Sequence, residues 1–187
     1  MKKDEIKSKG IENGSESKEK KGNFFKEWII PIACAVGIAI ALNKFVFMNV
    51  YIPSGSMIPT LNIQDRLIVT RIWNKDNIKR GDILVFTSHE LNETVIKRVI
   101  GLPGDHIEIT DGVVKVNGEV LEEDYVKNNE ARSGIYDVPE GKIFFLGDNR
   151  AVSYDARYWE NPYIDKEDVQ GKAQLRYYPI KDFGLVR

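Results

Sequence analysis

Cysteine is nearly absent. Cys34 is the only one in 187 residues, so the chain can form no internal disulfide and no multi-thiolate zinc site. Histidine is scarce as well: His89 and His106 are the only two. That leaves few imidazoles for metal or triad chemistry, and a hydrolytic mechanism has to find its base elsewhere. A dominant charge is missing too, with 27 Lys plus Arg against 28 Asp plus Glu. This balance gives no whole-chain electrostatic footprint for nucleic acid. Nor is there an internal repeat. What is there suffices for a packed domain: 42% of residues are apolar and 10% aromatic, which excludes wholesale disorder.

The charge that exists is unevenly placed. Residues 1–27 hold eight Lys and six Asp plus Glu, and the remainder holds 19 basic and 22 acidic residues. Residues 1–23 are rich in Lys, Glu, Ser and Gly and read as a disordered tail. Trp28 to Leu42 then runs for 15 residues without a charge, short of the roughly 20 that a bilayer core takes. The apolar run resumes at Phe45 and ends at Met48, long enough to span if Lys44 snorkels to the interface. Residues 24–48 are therefore expected to form one transmembrane anchor. Lys18, Lys20, Lys21 and Lys26 flank its N-terminal side, whereas the next basic residue after Lys44 is Arg66. The positive-inside rule puts the tail in the cytoplasm and residues 49–187 outside. Two other readings of this stretch are a buried core helix and a cleaved signal peptide with Ala39-Ile40-Ala41 as its small-x-small site. The long, half-acidic leader and the apolar run past that site argue against cleavage.

Beyond residue 48 the pattern shifts toward period two. Val50 and Ile52 share a face; Leu67–Val69, Ile83–Phe86, Val95–Ile100, Ile107–Ile109, Val113–Val116, Ile143–Leu146 and Ala173–Tyr178 read as short strands. Asp111-Gly112 and Asn117-Gly118 are hairpin turns by composition. The expectation is a mainly β, antiparallel domain, with the weakly patterned, charged segment 122–140 as an excursion from the sheet.

Three segments could carry chemistry. In Pro53-Ser54-Gly55-Ser56-Met57-Ile58-Pro59-Thr60-Leu61, two prolines and a glycine fix a tight turn that can present a serine Oγ beside backbone N–H groups. An acyl-transfer nucleophile needs that arrangement; an ordinary turn has the same composition. In Val95-Ile96-Lys97-Arg98-Val99-Ile100, alternation puts Lys97 between Val95 and Val99. Desolvation there favours the neutral amine, which can act as a general base; an edge-strand lysine opposing aggregation is the plainer reading. In Gly147-Asp148-Asn149-Arg150-Ala151-Val152-Ser153-Tyr154-Asp155-Ala156-Arg157, a strand runs into a loop dense in Asp, Asn, Arg and Ser. Such a loop can orient a buried lysine, or it can be a polar loop held by salt bridges. His89 sits in a polar turn and His106 opens a strand, neither with an Asp partner in a recognisable motif. Asn92-Glu93-Thr94 matches a glycosylation sequon by pattern only.

Together the three segments resemble, in order and wording, the boxes of the bacterial type I signal (leader) peptidases, membrane-bound serine/lysine proteases. The wording is PSGSM-x-PTL at 53–61, GDI-x-VF at 81–86, KRVIGLPGD at 97–105 and GDNR-x-x-S-x-D-x-R at 147–157, with Gly171-Lys172-Ala173 near the end. The resemblance implies an endopeptidase that cleaves signal peptides from exported preproteins after small residues, with a signal-peptidase-like β fold behind one N-terminal helix. Ser56 would be the nucleophile and Lys97 the general base. Ser54 would donate its hydroxyl to the oxyanion beside the Ser56 N–H, and Ser153 would orient Lys97. Asp155 and Arg157 would pair to hold the loop, with Asp148 nearby. Val50, Ile52, Met57, Val85 and Ile96 are expected to line shallow apolar substrate pockets. No metal or organic cofactor is implied. Partners would be signal peptides of preproteins and membrane lipid, with the translocation machinery a further candidate and no nucleic acid. The family often has Ser where Ala156 stands and Gly where Glu160 stands, which leaves the local support of 155–160 open. Against an enzyme stand an inactive extracytoplasmic chaperone or assembly factor, a self-cleaving repressor and a structural β module. The intact Ser56/Lys97 pair argues against the first. The apolar span argues against the second, as does the lack of DNA-binding helices. The motif wording argues against the third.

Overall fold

The computed structural model describes residues 25–187; the expected tail lies outside the described residues. A π-helical turn, Phe25–Ile29, leads into helix α1, Ile30–Phe45. Pro31 falls where the π-helical turn gives way to α1; without an N–H it cannot extend the hydrogen-bond ladder of the preceding turn. The 21 residues Phe25–Phe45 are long and apolar enough to cross a membrane, rising about 30 Å at 1.5 Å per residue. Ile32, Ile38 and Ile40 are all exposed, so the helix is apolar all round rather than one-sided, as a core helix would be. It ends at Phe45, three residues before the expected Met48. Phe47 and Met48 instead open strand β1, Phe47–Tyr51, opposite Thr70 and Val69.

Residues 45–187 form a separate β unit. After β1 come β2 (Arg66–Arg71), β3 (Ile83–Ser88), β4 (Glu93–Gly101), β5 (His106–Thr110), β6 (Val113–Val116) and β7 (Glu119–Val120). They are followed by β8 (Gly134–Asp137), β9 (Lys142–Leu146), β10 (Tyr163–Asp165), β11 (Val169–Tyr178) and β12 (Gly184–Leu185). The larger sheet has the order β1-β2-β11-β3-β4-β9-β10, with β12 on β11; the smaller has the order β7-β6-β5-β8. Every pairing is antiparallel. Both sequence-read hairpin turns form. Asp111 and Gly112 have φ of 48° and 82°, and Asn117 and Gly118 have φ of 53° and 85°. Two consecutive positive φ angles make the type I′ turn that suits the strand twist.

Two apolar clusters flank the larger sheet. Leu84, Phe86, Val99 and Phe145 point to one side, where they meet Ile107, Ile109, Val114 and Val116 of the smaller sheet. Ile83 and Val85 point to the other, where they meet Ile52, Met57, Leu61, Leu67 and Val69. Strand β3 is thus buried on both faces, as its unbroken apolar run requires. The segment 122–140 is an excursion only as far as Ser133, because Gly134–Asp137 joins the smaller sheet as β8 beside β5.

Candidate active site

Strands β3 and β4 pair with Leu84 opposite Lys97 and Val85 opposite Ile96. Cross-strand partners share a face, so Lys97 lies on the Leu84 side, between Val95 and Val99, as alternation predicts. The next strand, β9, pairs Leu146 with Arg98 and then ends. Lys97 therefore sits just past the last rung of that ladder. Gly147 and the 53–61 turn occupy this place. A Cβ on Gly147 would lie 2.2 Å from Ser153 Oγ and 2.6 Å from the Ser56 carbonyl oxygen. Only glycine permits this approach of the two loops.

Here Lys97 Nζ stands 2.5 Å from Ser56 Oγ. Lys97 is 4% exposed and Ser56 7%. Burial pushes the lysine down to about 8, against the pull of the Asp155 and Asp148 carboxylates, with Arg157 adding to the depression. The cost of an ammonium removed from water is the dominant cause. Ser54 is exposed, its Oγ 3.4 Å from Ser56 Oγ. The Ser56 main-chain N–H has no acceptor among the described residues, so it is available to a ligand.

The third segment closes around this pair. Asn149 donates from its main chain to the Ser56 carbonyl at 3.0 Å and from its side chain to the Gly55 carbonyl at 2.9 Å. Asp155 accepts from Gly147 N–H at 2.9 Å, and Arg157 grips the same carboxylate through Nε and Nη2 at 2.8 and 3.0 Å. Asp148, for which the sequence offered no partner, is held from β4. It takes both prongs of Arg98, at 2.8 and 2.7 Å, and a hydrogen bond from Thr60. Arg98 was legible inside the KRVIGLPGD wording, but alternation turns it away from Lys97, so its role as the clamp on Asp148 depends on the fold. Ser153 departs from expectation. Its Oγ is buried and makes no hydrogen bond, whereas the reading from the motif has it bonded to Lys97.

A cleft of about 440 Å³ opens on the Ser56/Lys97 pair, walled by Val50, Val85, Ile96, Val95, Val152 and Tyr154 among others. Of the expected pocket residues, Val50, Val85 and Ile96 line it. Ile52 and Met57 do not: they are 1% and 0% exposed and fill the core beneath the 53–61 turn. Alternation assigned Ile52 to a face, and the turn then folded over that face. The cleft walls are largely apolar.

Both histidines have carboxylate partners that the sequence did not reveal. His89 meets Asp168 at 2.9 Å, and His106 meets Asp137 and Glu108. Among the described residues no serine is hydrogen-bonded to either histidine, and Asp137 above all holds the His106 imidazole up from its ordinary value. Among the described residues no group of three or more His, Cys, Asp or Glu could hold a metal ion.

Comparison with known proteins places the chain in a family. The family described as signal peptidase, peptidase S26, matches residues 25–178. A signal peptidase I of Leptolyngbya laminosa is 40% identical over 168 residues, covering 84% of this chain and 82% of that protein. One of Bacillus licheniformis is 35% identical over 178 residues, covering 89% and 95%. A solved signal peptidase I from Enterococcus faecalis V583 aligns at 35% identity with a TM-score of 0.46, covering 51% of this chain and 96% of that one. With its family boxes assembled around one serine and one buried lysine, the chain belongs to the signal peptidase family, peptidase S26.

Proposed function

We propose that this protein is a membrane-anchored serine endopeptidase that removes signal peptides from exported preproteins, with Ser56 as nucleophile and Lys97 as general base. The observation that carries the reading is the 2.5 Å contact between Lys97 Nζ and Ser56 Oγ at a lysine depressed to about 8. At that value about one lysine in ten is neutral at pH 7, against fewer than one in a thousand for an ordinary lysine.

The neutral amine accepts the Ser56 hydroxyl proton as Oγ attacks the scissile carbonyl. The negative charge that develops on the carbonyl oxygen meets the unused Ser56 N–H, with the exposed Ser54 hydroxyl as second donor. The resulting ammonium returns its proton to the leaving amine. Water then attacks the acyl-enzyme with the same lysine as base, which restores Ser56. Asp155 and Arg157 hold the loop that covers the lysine, and Asp148 ties that loop to β4. Ser153, buried beside Gly147, has a free hydroxyl with which to steady the amine once substrate excludes solvent. Small side chains flanking the scissile bond enter the shallow wells beside Val50, Val85 and Ile96.

The helix is the anchor, with the lysine-flanked N-terminal tail in the cytoplasm and the β unit outside, where exported preproteins emerge. An inactive chaperone has no use for a desolvated lysine against a serine, and nothing in the site favours that reading. The test is incubation of the detergent-purified chain with a preprotein, wild type against Ser56→Ala, with the new N-terminus read by mass. Cleavage after a small residue by wild type alone is expected. Equal cleavage by both proteins, or none by either, overturns the reading.

A further inference from the structure

Residues 122–132 have no place in either sheet, yet they reach every arginine of the catalytic loop. Glu123 takes both terminal nitrogens of Arg150. Glu130 accepts from Arg157 Nη1 at 2.8 Å and from the Tyr158 hydroxyl. Asn128 donates to Asn149 Oδ1 at 2.7 Å, and its carbonyl accepts from Ala151 N–H at 3.1 Å. The Tyr125 ring lies 3.8 Å beneath the Arg98 guanidinium.

Each arginine also points inward. Arg150 Nε donates to the Gly147 carbonyl at 3.0 Å, and Arg157 Nη2 donates to the Arg150 carbonyl at 2.7 Å. The Arg150 and Arg157 side chains are both 2% exposed, and a buried guanidinium needs a counter-charge to be tolerated. Asp155 supplies one for Arg157; within the loop, nothing supplies one for Arg150. The strap glutamates complete the set from outside. Asn149, held on one side by Asn128, holds the Ser56 and Gly55 carbonyls on the other.

We propose that segment 122–132 is a positioning strap: Glu123, Asn128 and Glu130 fix the 147–157 loop, and through Asn149 they fix the backbone of the nucleophile turn. None of the three touches the reacting atoms. The strap acts on catalysis through placement of Ser56 against Lys97, where a misplacement of about 1 Å can cost 10²-fold in rate.

The kinetic consequence rests on the dyad reading above, but the strap itself does not, so the experiment has two independent arms. The first is amide hydrogen exchange on the intact chain, comparing wild type with Asn128→Ala/Glu130→Ala. Protection is expected to fall at Asn149 and Ala151 and to persist in β3 and β4. The second is kcat and KM on a peptide with Ala at P1 and P3, per folded molecule. A fall in kcat of about 10- to 100-fold with little change in KM is expected. Glu130→Gln, which keeps an acceptor for Arg157, should recover most of that loss. Should the double variant fail to fold, Asn128→Ala alone gives the same two readouts. Unchanged loop protection overturns the strap. So does an unchanged kcat in a variant whose loop has lost protection. If wild type cleaves nothing, the functional reading falls while the exchange arm still decides whether the strap holds the loop.

Discussion

Arg98 meets Asp148 in a two-pronged pair, Nε to Oδ1 at 2.8 Å and Nη2 to Oδ2 at 2.7 Å, with side chains 4% and 0% exposed. Arg98 is the residue after Lys97 on β4, and Asp148 is the residue after Gly147. The pair therefore locks together the two segments that meet at the dyad. Breaking a buried pair from one side leaves an unpaired charge, which costs about 3–5 kcal/mol. Asp148→Ala should lower unfolding stability by that order. The double change Arg98→Met/Asp148→Leu should cost less than Asp148→Ala alone, because both charges go together. Denaturant unfolding of the three proteins decides it, and a double variant worse than the single would show that the pair is not acting as one unit.

Ser56→Ala and Lys97→Ala should each remove most turnover while leaving the fold intact, and the two losses should not add. A folded Lys97→Ala protein that kept more than about a tenth of the wild-type rate would rule the lysine out, since general base catalysis is worth roughly 10²–10⁴. Ser54→Ala should reduce kcat by about 10²–10³ with KM little changed if its hydroxyl meets the oxyanion. An effect on KM alone would make Ser54 a binding residue only. Steady-state kinetics on one peptide covers all three variants.

The strands and the face that carries Lys97 were legible because local rules set them, whereas the pairing of Lys97 with Ser56 was legible only through the resemblance of the motif wording. Alternation placed Lys97 between Val95 and Val99, and Asp-Gly and Asn-Gly could close little else but two-residue hairpins. What escaped depended on long-range placement. Ile52 was assigned to the substrate pocket because a strand face can be read from period two, and Met57 because the motif sets it beside Ser56; the turn that buries both cannot be read in either way. Glu123 and Glu130 lie in a segment without periodicity, and their meaning comes from Arg150 and Arg157, each 27 residues away. Phe47 and Met48 read as the end of the apolar span because apolar residues suit bilayer and sheet alike. The ladder to Thr70 and Val69 assigns them to β1.

Orientation can be tested in cells. Lys18, Lys20, Lys21 and Lys26 precede the apolar helix, so the tail should be protected from added protease in spheroplasts, and residues after 48 should be accessible. Intact-mass measurement of the membrane-extracted chain separates an anchor from a cleaved signal. A mature protein beginning at Leu42 would refute the anchor.

The ionisation of Lys97 links catalysis to stability, with a sign that can be worked out. Its value in the folded protein lies near 8, lowered from 10.5 by burial. Below pH 8 both folded and unfolded chains carry the proton there, and folding must bury an ammonium. Between about 8 and 10.5 the unfolded chain holds more protons than the folded one, so the stability contribution of this group rises with pH across that window. Wild type should therefore gain stability relative to Lys97→Met as pH is raised from 8 to 10.5, while kcat/KM rises through an ionisation near 8 and then levels off. A carboxylate placed in the cleft should shift that limb. Val95 lies two residues from Lys97 on the same strand face and is only partly buried, so Val95→Asp should stabilise the ammonium and move the limb upward. The measurement is a kcat/KM profile from pH 6 to 10 for wild type and Val95→Asp, with denaturant stability of wild type and Lys97→Met over the same range and on to 10.5. A wild-type rate that rises only near 10.5 would mean that the lysine is solvated. A shift of the limb without the matching stability difference would mean that another group titrates in its place.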